Sequence, residues 1–223
     1  MHKPSSLVLL CILLFIIAVA AAPSNKNNQR VVLVTGASSG IGFATSLKFA
    51  QMGRIVVLVA RDSHPDWYTG TQAADLINKD AQVQSAGGSA IFIRADVSQP
   101  GAMKQVLNQI DMKFGRLDAA VNNAGIGGPL GNLDQIEQYF NSEQDPIRNN
   151  LYGTIFSVYE EIAYWMRRGN VNQTYSIVNL SSYNGIRGCE GCSLYAASKH
   201  GIIGFTKSVA LEYVSKTDKT PRI

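Results

Sequence analysis

Val31-Val32-Leu33-Val34-Thr35 runs straight into Gly36-Ala37-Ser38-Ser39-Gly40-Ile41-Gly42, and this junction decides the fold. An unbroken β-branched and apolar run is the pattern of a strand buried on both faces. The glycines after it lead into a helical pattern, so backbone N–H groups at a helix N-terminus face a tight turn. Glycine lets the backbone approach a pyrophosphate without a Cβ in the way, and the helix dipole favours its negative charge. Thr35, Gly36, Ser38, Ser39, Gly40, Ile41 and Gly42 are therefore candidate phosphate-binding residues. The spacing differs from the Gly-x-Gly-x-x-Gly dinucleotide fingerprint, and many strand-to-helix turns carry glycine for conformational reasons alone.

Outward from this junction, short apolar runs alternate with longer helical patterns, which predicts an α/β fold with a parallel sheet and helices on both faces. The predicted strands are Val31 to Thr35, Ile55 to Val59, Ala90 to Ala95, Leu117 to Val121 and Tyr175 to Leu180. Helices are expected to begin near Ile41, Gln72, Pro100 and Pro146, with a last one from Ser193 to Tyr213. Ile147, Leu151, Ile155, Val158, Ile162 and Met166 follow one stripe at steps of three and four, which predicts a long helix packed on the sheet. Asp62 to Thr71 has neither period and reads as an extended loop, in which His64 is solvent-exposed.

The chain has 223 residues, 46% of them hydrophobic, enough for one sizeable domain at 31–223 rather than a disordered tail. A net charge of +4, evenly spread, gives nucleic acid no basic surface to bind. Leu7 to Ala22 is an apolar run that follows Lys3 and ends in small residues, so residues 1–22 read as a secretory leader cut after Ala20 or Ala21. An uncleaved anchor is the alternative: the run would span about 24 Å as a helix, against a hydrocarbon core of about 30 Å. Residues 23–30 form a polar linker. The expected location is the secretory pathway, in the endoplasmic reticulum lumen or outside the cell, or on the reticulum membrane if the anchor stays. In that compartment Asn172-Gln173-Thr174 is a glycosylation acceptor. Cys189 and Cys192 either pair as a disulfide or sit as two small half-buried residues in a loop. Without a second cysteine pair they make no zinc site, and no metal is predicted.

Tyr195-Ala196-Ala197-Ser198-Lys199 puts a phenol and an ammonium on adjacent turns of one helix face. A nearby cation favours the phenolate and makes the phenol usable as an acid or base nearer neutral pH. Ser182 stands thirteen residues earlier, just past the fifth predicted strand, where a hydroxyl can hydrogen-bond a reacting carbonyl oxygen.

Thr35 to Gly42, Asn122-Asn123-Ala124-Gly125, Asn150-Leu151-Tyr152-Gly153, Ser182 and Tyr195 to Lys199 occur in this order. Together they resemble the short-chain dehydrogenase/reductase family, over roughly Val31 to Ile223. The resemblance implies a doubly wound, Rossmann-type sheet and an NAD(P)-dependent oxidoreductase that moves hydride between a nicotinamide cofactor and a small-molecule carbonyl or alcohol. It makes Tyr195 the general acid/base, Ser182 the partner of the carbonyl oxygen, Lys199 the group that activates the phenol and binds the nicotinamide ribose, and Asn150 a relay. Asn149 is a rival to Asn150, which is preferred because an apolar residue follows it and Gly153 stands three positions on. By the same resemblance Asp96 and Val97 border the adenine, and Asn123, Ala124 and Gly125 lie beside the adenosine ribose.

Cofactor choice turns on the end of the second strand, where a carboxylate would bind an NAD ribose and repel a 2′-phosphate. Ala60 occupies that position and Arg61, which can pair with a phosphate, follows it, so the stretch resembles NADP-preferring members. A shift of the strand end by one or two positions would instead bring Asp62 to the ribose and favour NAD.

Pro221-Arg222-Ile223 resembles the opening of the family's sixth strand. The resemblance thus implies that the last strands and the substrate-covering segment are absent, leaving open sheet edge that invites a homo-oligomer. A catalytically impaired cofactor-binding or interaction protein is the alternative function on that ground.

Overall fold

Every residue of β1 (Val31–Thr35) is buried, as a strand apolar on both faces requires. The computed structural model describes residues 29–61, 68–169 and 174–214. The expected leader, most of the linker, the His64 loop with Asp62, and the Asn172 acceptor lie outside the described residues.

Around β1 the chain lays β2 (Ile55–Ala60), β3 (Ser89–Arg94), β4 (Ala119–Asn122) and β5 (Ser176–Asn179). All pairings are parallel, in the order β3-β2-β1-β4-β5, with Leu33 opposite Val57 on one side and Ala120 on the other. The connections run outward from β1 to β3, then cross back to β4. That reversal opens a crevice beyond the carboxyl ends of β1 and β4, where such sheets bind ligands.

Alternate residues of the strands feed two separate cores. Val32, Val34, Val56 and Leu58 pack with Phe49 of α1 (Gly40–Gln51), Ile77 of α2 (Gly70–Lys79) and Val83 of α3 (Ala81–Ala86). Val31, Leu33, Val57 and Val59 pack on the other face with Leu107 of α4 (Ala102–Phe114), Trp165 of α5 (Gly153–Arg168) and Val209 of α6 (Ser193–Val214). The expected doubly wound sheet with helices on both faces is present. Among the described residues no helix is long and apolar enough to cross a membrane.

Two helical expectations are corrected. The helix expected near Gln72 opens at Gly70, where Thr69 and Gln72 form a capping box, and it divides at Asp80. Asp80 is extended, and its carboxylate accepts the Gln82 and Val83 amides at 3.0 Å each, so it caps a second helix instead of continuing the first. The apolar stripe on α5 is also displaced. Met166 is 53% exposed, while Thr154, Ser157, Val158, Glu161, Ile162 and Trp165 form the buried row. The reason lies upstream: Ile147–Tyr152 forms a π-helical stretch, whose wider turn rotates the face that α5 presents to the sheet.

Candidate active site

Thr35 ends β1, and its hydroxyl oxygen accepts the backbone amides of Asn123 and Ala124, each at 3.1 Å. Asn123 returns the contact through Nδ2, which donates to the carbonyls of Thr35 at 3.0 Å and Gly36 at 3.2 Å. The turns after β1 and β4 are thereby laced together at the floor of the crevice. Gly36 has φ +63°, and a Cβ there would stand 2.8 Å from Ala124 Cα. A Cβ on Gly42 would fall on the Gly36 carbonyl oxygen. Only glycine fits at either position. Ser39, the N-cap of α1, is extended and its side chain makes no capping hydrogen bond, so the helix's first amides have no side-chain cap.

A cavity of about 570 Å³ opens above this turn. Gly36, Ser38, Ser39, Gly40 and Ile41 line its floor; Ala60, Arg61, Asp96 and Val97 line one end; Asn123, Ala124 and Gly125 form the middle. Tyr195 and Lys199 stand at the other end. β2 ends at Ala60, which places Arg61 as the first residue beyond the strand. Asp96 accepts hydrogen bonds from the Ser98 amide at 3.0 Å and the Ser98 hydroxyl at 2.8 Å. Burial raises the Asp96 carboxyl, but the bonds from Ser98 and Gln99 and the charge of Arg61 outweigh it and hold the group below the usual carboxylate range.

Four of the residues singled out from sequence, Thr35, Gly42, Asn150 and Ser182, are not among those that line the cavity. Thr35 and Gly42 shape the turn. Asn150 is fully buried, accepting the Ile126 amide at 2.7 Å and donating to the Ile126 carbonyl at 2.9 Å and to Ser198 Oγ at 3.1 Å. Ser182 caps the short turn Tyr183–Gly185, accepting the Asn184 amide at 3.2 Å. Asn149 lines the cavity, as do Ser181 and Leu180. Of the wall residues, Val59, Ala95, Ile126, Gly127, Leu180 and Ser181 escaped the sequence reading. All of them adjoin a strand end or a motif that it did mark, and that adjacency was the available signal.

Lys199 is 5% exposed. Its ammonium donates to the Leu180 carbonyl at 2.9 Å and lies 5.8 Å from the centre of the Tyr195 ring. Burial pulls the amine down from 10.5 to about 8. A Cβ built on Gly125 would lie 3.1 Å from Asn150 Oδ1 and 3.5 Å from Lys199 Nζ, so the amide and the amine meet on one side of the crevice. Ser198 donates to the Tyr195 carbonyl at 2.7 Å and Ser181 to the Lys199 carbonyl at 2.8 Å, fixing the first turns of α6. Just ahead of this helix Cys189 and Cys192 are joined in a disulfide, with Cα atoms 5.4 Å apart. An anion cradle, a phenol and a buried amine along one cavity suit a long anionic cofactor with its reacting end at Tyr195.

Comparisons with known proteins bear on this geometry. A family model described as short chain dehydrogenase matches residues 30–217. The 3beta-hydroxysteroid dehydrogenase of Mediterraneibacter gnavus is 36% identical over 189 residues, which cover 85% of this chain and 62% of that protein. The 15-hydroxyprostaglandin dehydrogenase [NAD(+)] of Rattus norvegicus is 33% identical over 186 residues, covering 82% of this chain and 62% of its own. Among solved structures, a variant of actinorhodin polyketide ketoreductase with NADPH superposes with a TM-score of 0.69 at 29% identity, over 83% of this chain and 66% of that one. The chain thus spans about three fifths of the length of these two curated relatives. With one family model running from the strand before the glycine turn to the helix beyond Lys199, the chain belongs to the short chain dehydrogenase family.

Proposed function

We propose that this protein is an oxidoreductase that binds a nicotinamide dinucleotide, NADP in preference to NAD, and acts on a small-molecule carbonyl or alcohol with Tyr195 as general acid/base. The observation that carries the reading is the single cavity joining the glycine turn at Gly36–Ile41 to Tyr195 and Lys199. Its floor fits a pyrophosphate, since Gly36 and Gly42 let the turn close tightly against Asn123 and Ala124 and the α1 amides have no side-chain cap. The bound dinucleotide supplies or accepts the hydride.

The protein's own residues have separate tasks. In the reducing direction Tyr195 gives its phenolic proton to the oxygen of the carbonyl, and in the oxidising direction it takes that proton from the alcohol. Ser182 accepts a bond from Asn184, which leaves its hydroxyl hydrogen to donate to the same oxygen. Lys199, held by the Leu180 carbonyl, presents positive charge toward the phenol and the ribose hydroxyls. Asn150 holds Ile126 and Ser198, and through Ser198 the first turn of α6. Ala60 offers no carboxylate to repel a 2′-phosphate, and the Arg61 guanidinium at the cavity edge supplies its counter-charge.

Two variants test the reading. Tyr195→Phe should lower turnover about 100-fold or more, with dinucleotide affinity kept within about twofold. Near wild-type turnover in Tyr195→Phe removes the assigned mechanism. Arg61→Ala should weaken NADP binding about tenfold and leave NAD binding unchanged. Equal loss for both cofactors, or none for either, removes the cofactor preference.

A further inference from the structure

α5 buries a carboxyl group that the proposed chemistry does not use. Glu161 is 0% exposed. Its Oε2 accepts Asn122 Nδ2 at 3.1 Å, while Oε1 has no hydrogen-bond partner. The side-chain oxygen of Asn122, on the amide that meets Oε2, has none either. Two buried acceptors without a donor on adjoining groups are strongly unfavourable. One proton on Oε1 turns the carboxylate into an acid with a donor of its own, and the orphan oxygen of Asn122 is the acceptor at hand.

The contact does not stop at Asn122. The same Nδ2 donates to Asn179 Oδ1 at 3.0 Å, and Asn179 Nδ2 donates to Thr206 Oγ1 at 2.9 Å. Four side chains from α5, β4, β5 and α6 are thereby linked in a row. Asn122 is the last residue of β4, directly before Asn123, which holds the glycine turn. Asn179 is the last residue of β5, directly before Leu180, whose carbonyl holds Lys199. Thr206 is two turns along α6 from Lys199.

We propose that Glu161 is a positioning residue, carried as a neutral carboxylic acid, that clasps the ends of β4 and β5 and so sets Asn123 and the Leu180–Lys199 pair along the cavity wall. Its effect on the site rests on the cofactor reading above; its protonation does not. A leucine at 161 would fill the space but leave Asn122 Nδ2 with one partner instead of two. Glutamine keeps the shape of the acid, with an N–H in place of the O–H.

The test combines infrared difference spectra with dinucleotide titration of the full chain. Wild type minus E161Q at neutral pH should show the deuterium-sensitive carbonyl stretch of a protonated acid. E161Q should bind NADP within about twofold of wild type, while E161L and T206V should each bind about five- to tenfold more weakly. T206V breaks the far end of the clasp without touching Glu161, and decides the outcome if E161L does not fold. Absence of the acid band overturns the proposal, as does E161Q losing as much affinity as E161L, or T206V matching wild type. Wild type binding no dinucleotide refutes the cofactor reading and the positioning role with it, but leaves the acid band in place.

Discussion

Lys199 and Glu161 are both pushed toward their neutral forms by burial, and the two shifts act on stability in opposite pH windows. Lys199 drops from 10.5 to about 8 in the fold, so between those values the unfolded chain holds a proton that the folded chain has released. Stability therefore rises with pH across that interval, by roughly 3 kcal/mol at full effect. Glu161 rises from 4.5 to about 8, with burial the larger cause and the Asn122 bond opposing it. Its contribution is fully present below 4.5 and is lost as pH climbs through about 8. Melting temperatures of wild type and K199M should thus diverge between pH 8 and 10.5, with wild type gaining. Those of wild type and E161Q should diverge between pH 4.5 and 8, with wild type falling. Parallel curves for either pair would show that the group titrates in the fold as it does in the open chain.

At the scale of single elements, the strands were readable because a strand buried on both faces needs few polar residues, and five short runs were mostly apolar, with β1 and β2 the most fully buried. The entry to α5 was not. Ile147, Leu151 and Ile155 satisfy an α-helical period, yet Ile147–Tyr152 is π-helical and the row it turns inward contains Thr154, Ser157 and Glu161. A search for apolar faces passes over a buried glutamate by construction, so the clasp on Asn122 left no mark in the pattern. Tyr195, Lys199 and Ser182 were singled out because their residue types stand at a telling spacing, whereas Leu180 holds Lys199 through its backbone carbonyl and Ser181 through one hydroxyl bond to the Lys199 carbonyl. The π-helical stretch also separates two adjacent asparagines that look alike in sequence. Asn150 satisfies both backbone groups of Ile126, while Asn149 donates to the Glu143 and Asp145 carbonyls. The Asp145 carbonyl already accepts the Asn149 backbone amide. Asn150→Ala should therefore cost about 2–4 kcal/mol in urea unfolding and Asn149→Ala about 1 kcal/mol or less. An equal or larger loss in Asn149→Ala would mean that the buried bonds of Asn150 are not what hold the wall.

Across the whole molecule the sheet is graded from centre to edge. β1 is buried at every position and paired on both sides, while β5 is buried at one of four positions and, among the described residues, pairs only with β4. The crevice joins these extremes: its floor follows the central strand and the wall that carries Tyr195 and Lys199 follows β5 and α6. A ligand in that crevice raises the free energy of any opening that destroys the site, by about 2.7 kcal/mol at a hundredfold excess over its dissociation constant. Openings that leave the site intact gain nothing, because the ligand stays bound through them. Hydrogen exchange with and without saturating NADP should accordingly slow by up to about 100-fold in peptides covering 35–42, 122–126 and 180–199. α3 (Ala81–Ala86), which contributes no residue to the cavity wall, should exchange at the same rate in both states. The floor amides are the stricter half of this prediction, because β1 is already protected and only the turn after it is free to respond. If the protection rises in 180–199 alone, the dinucleotide does not reach the glycine turn; if it rises in 35–42 alone, it does not reach Lys199. Either pattern would mean that the two ends of the cavity serve different ligands, and protection at both ends together is the outcome that one cofactor lying along the whole crevice requires.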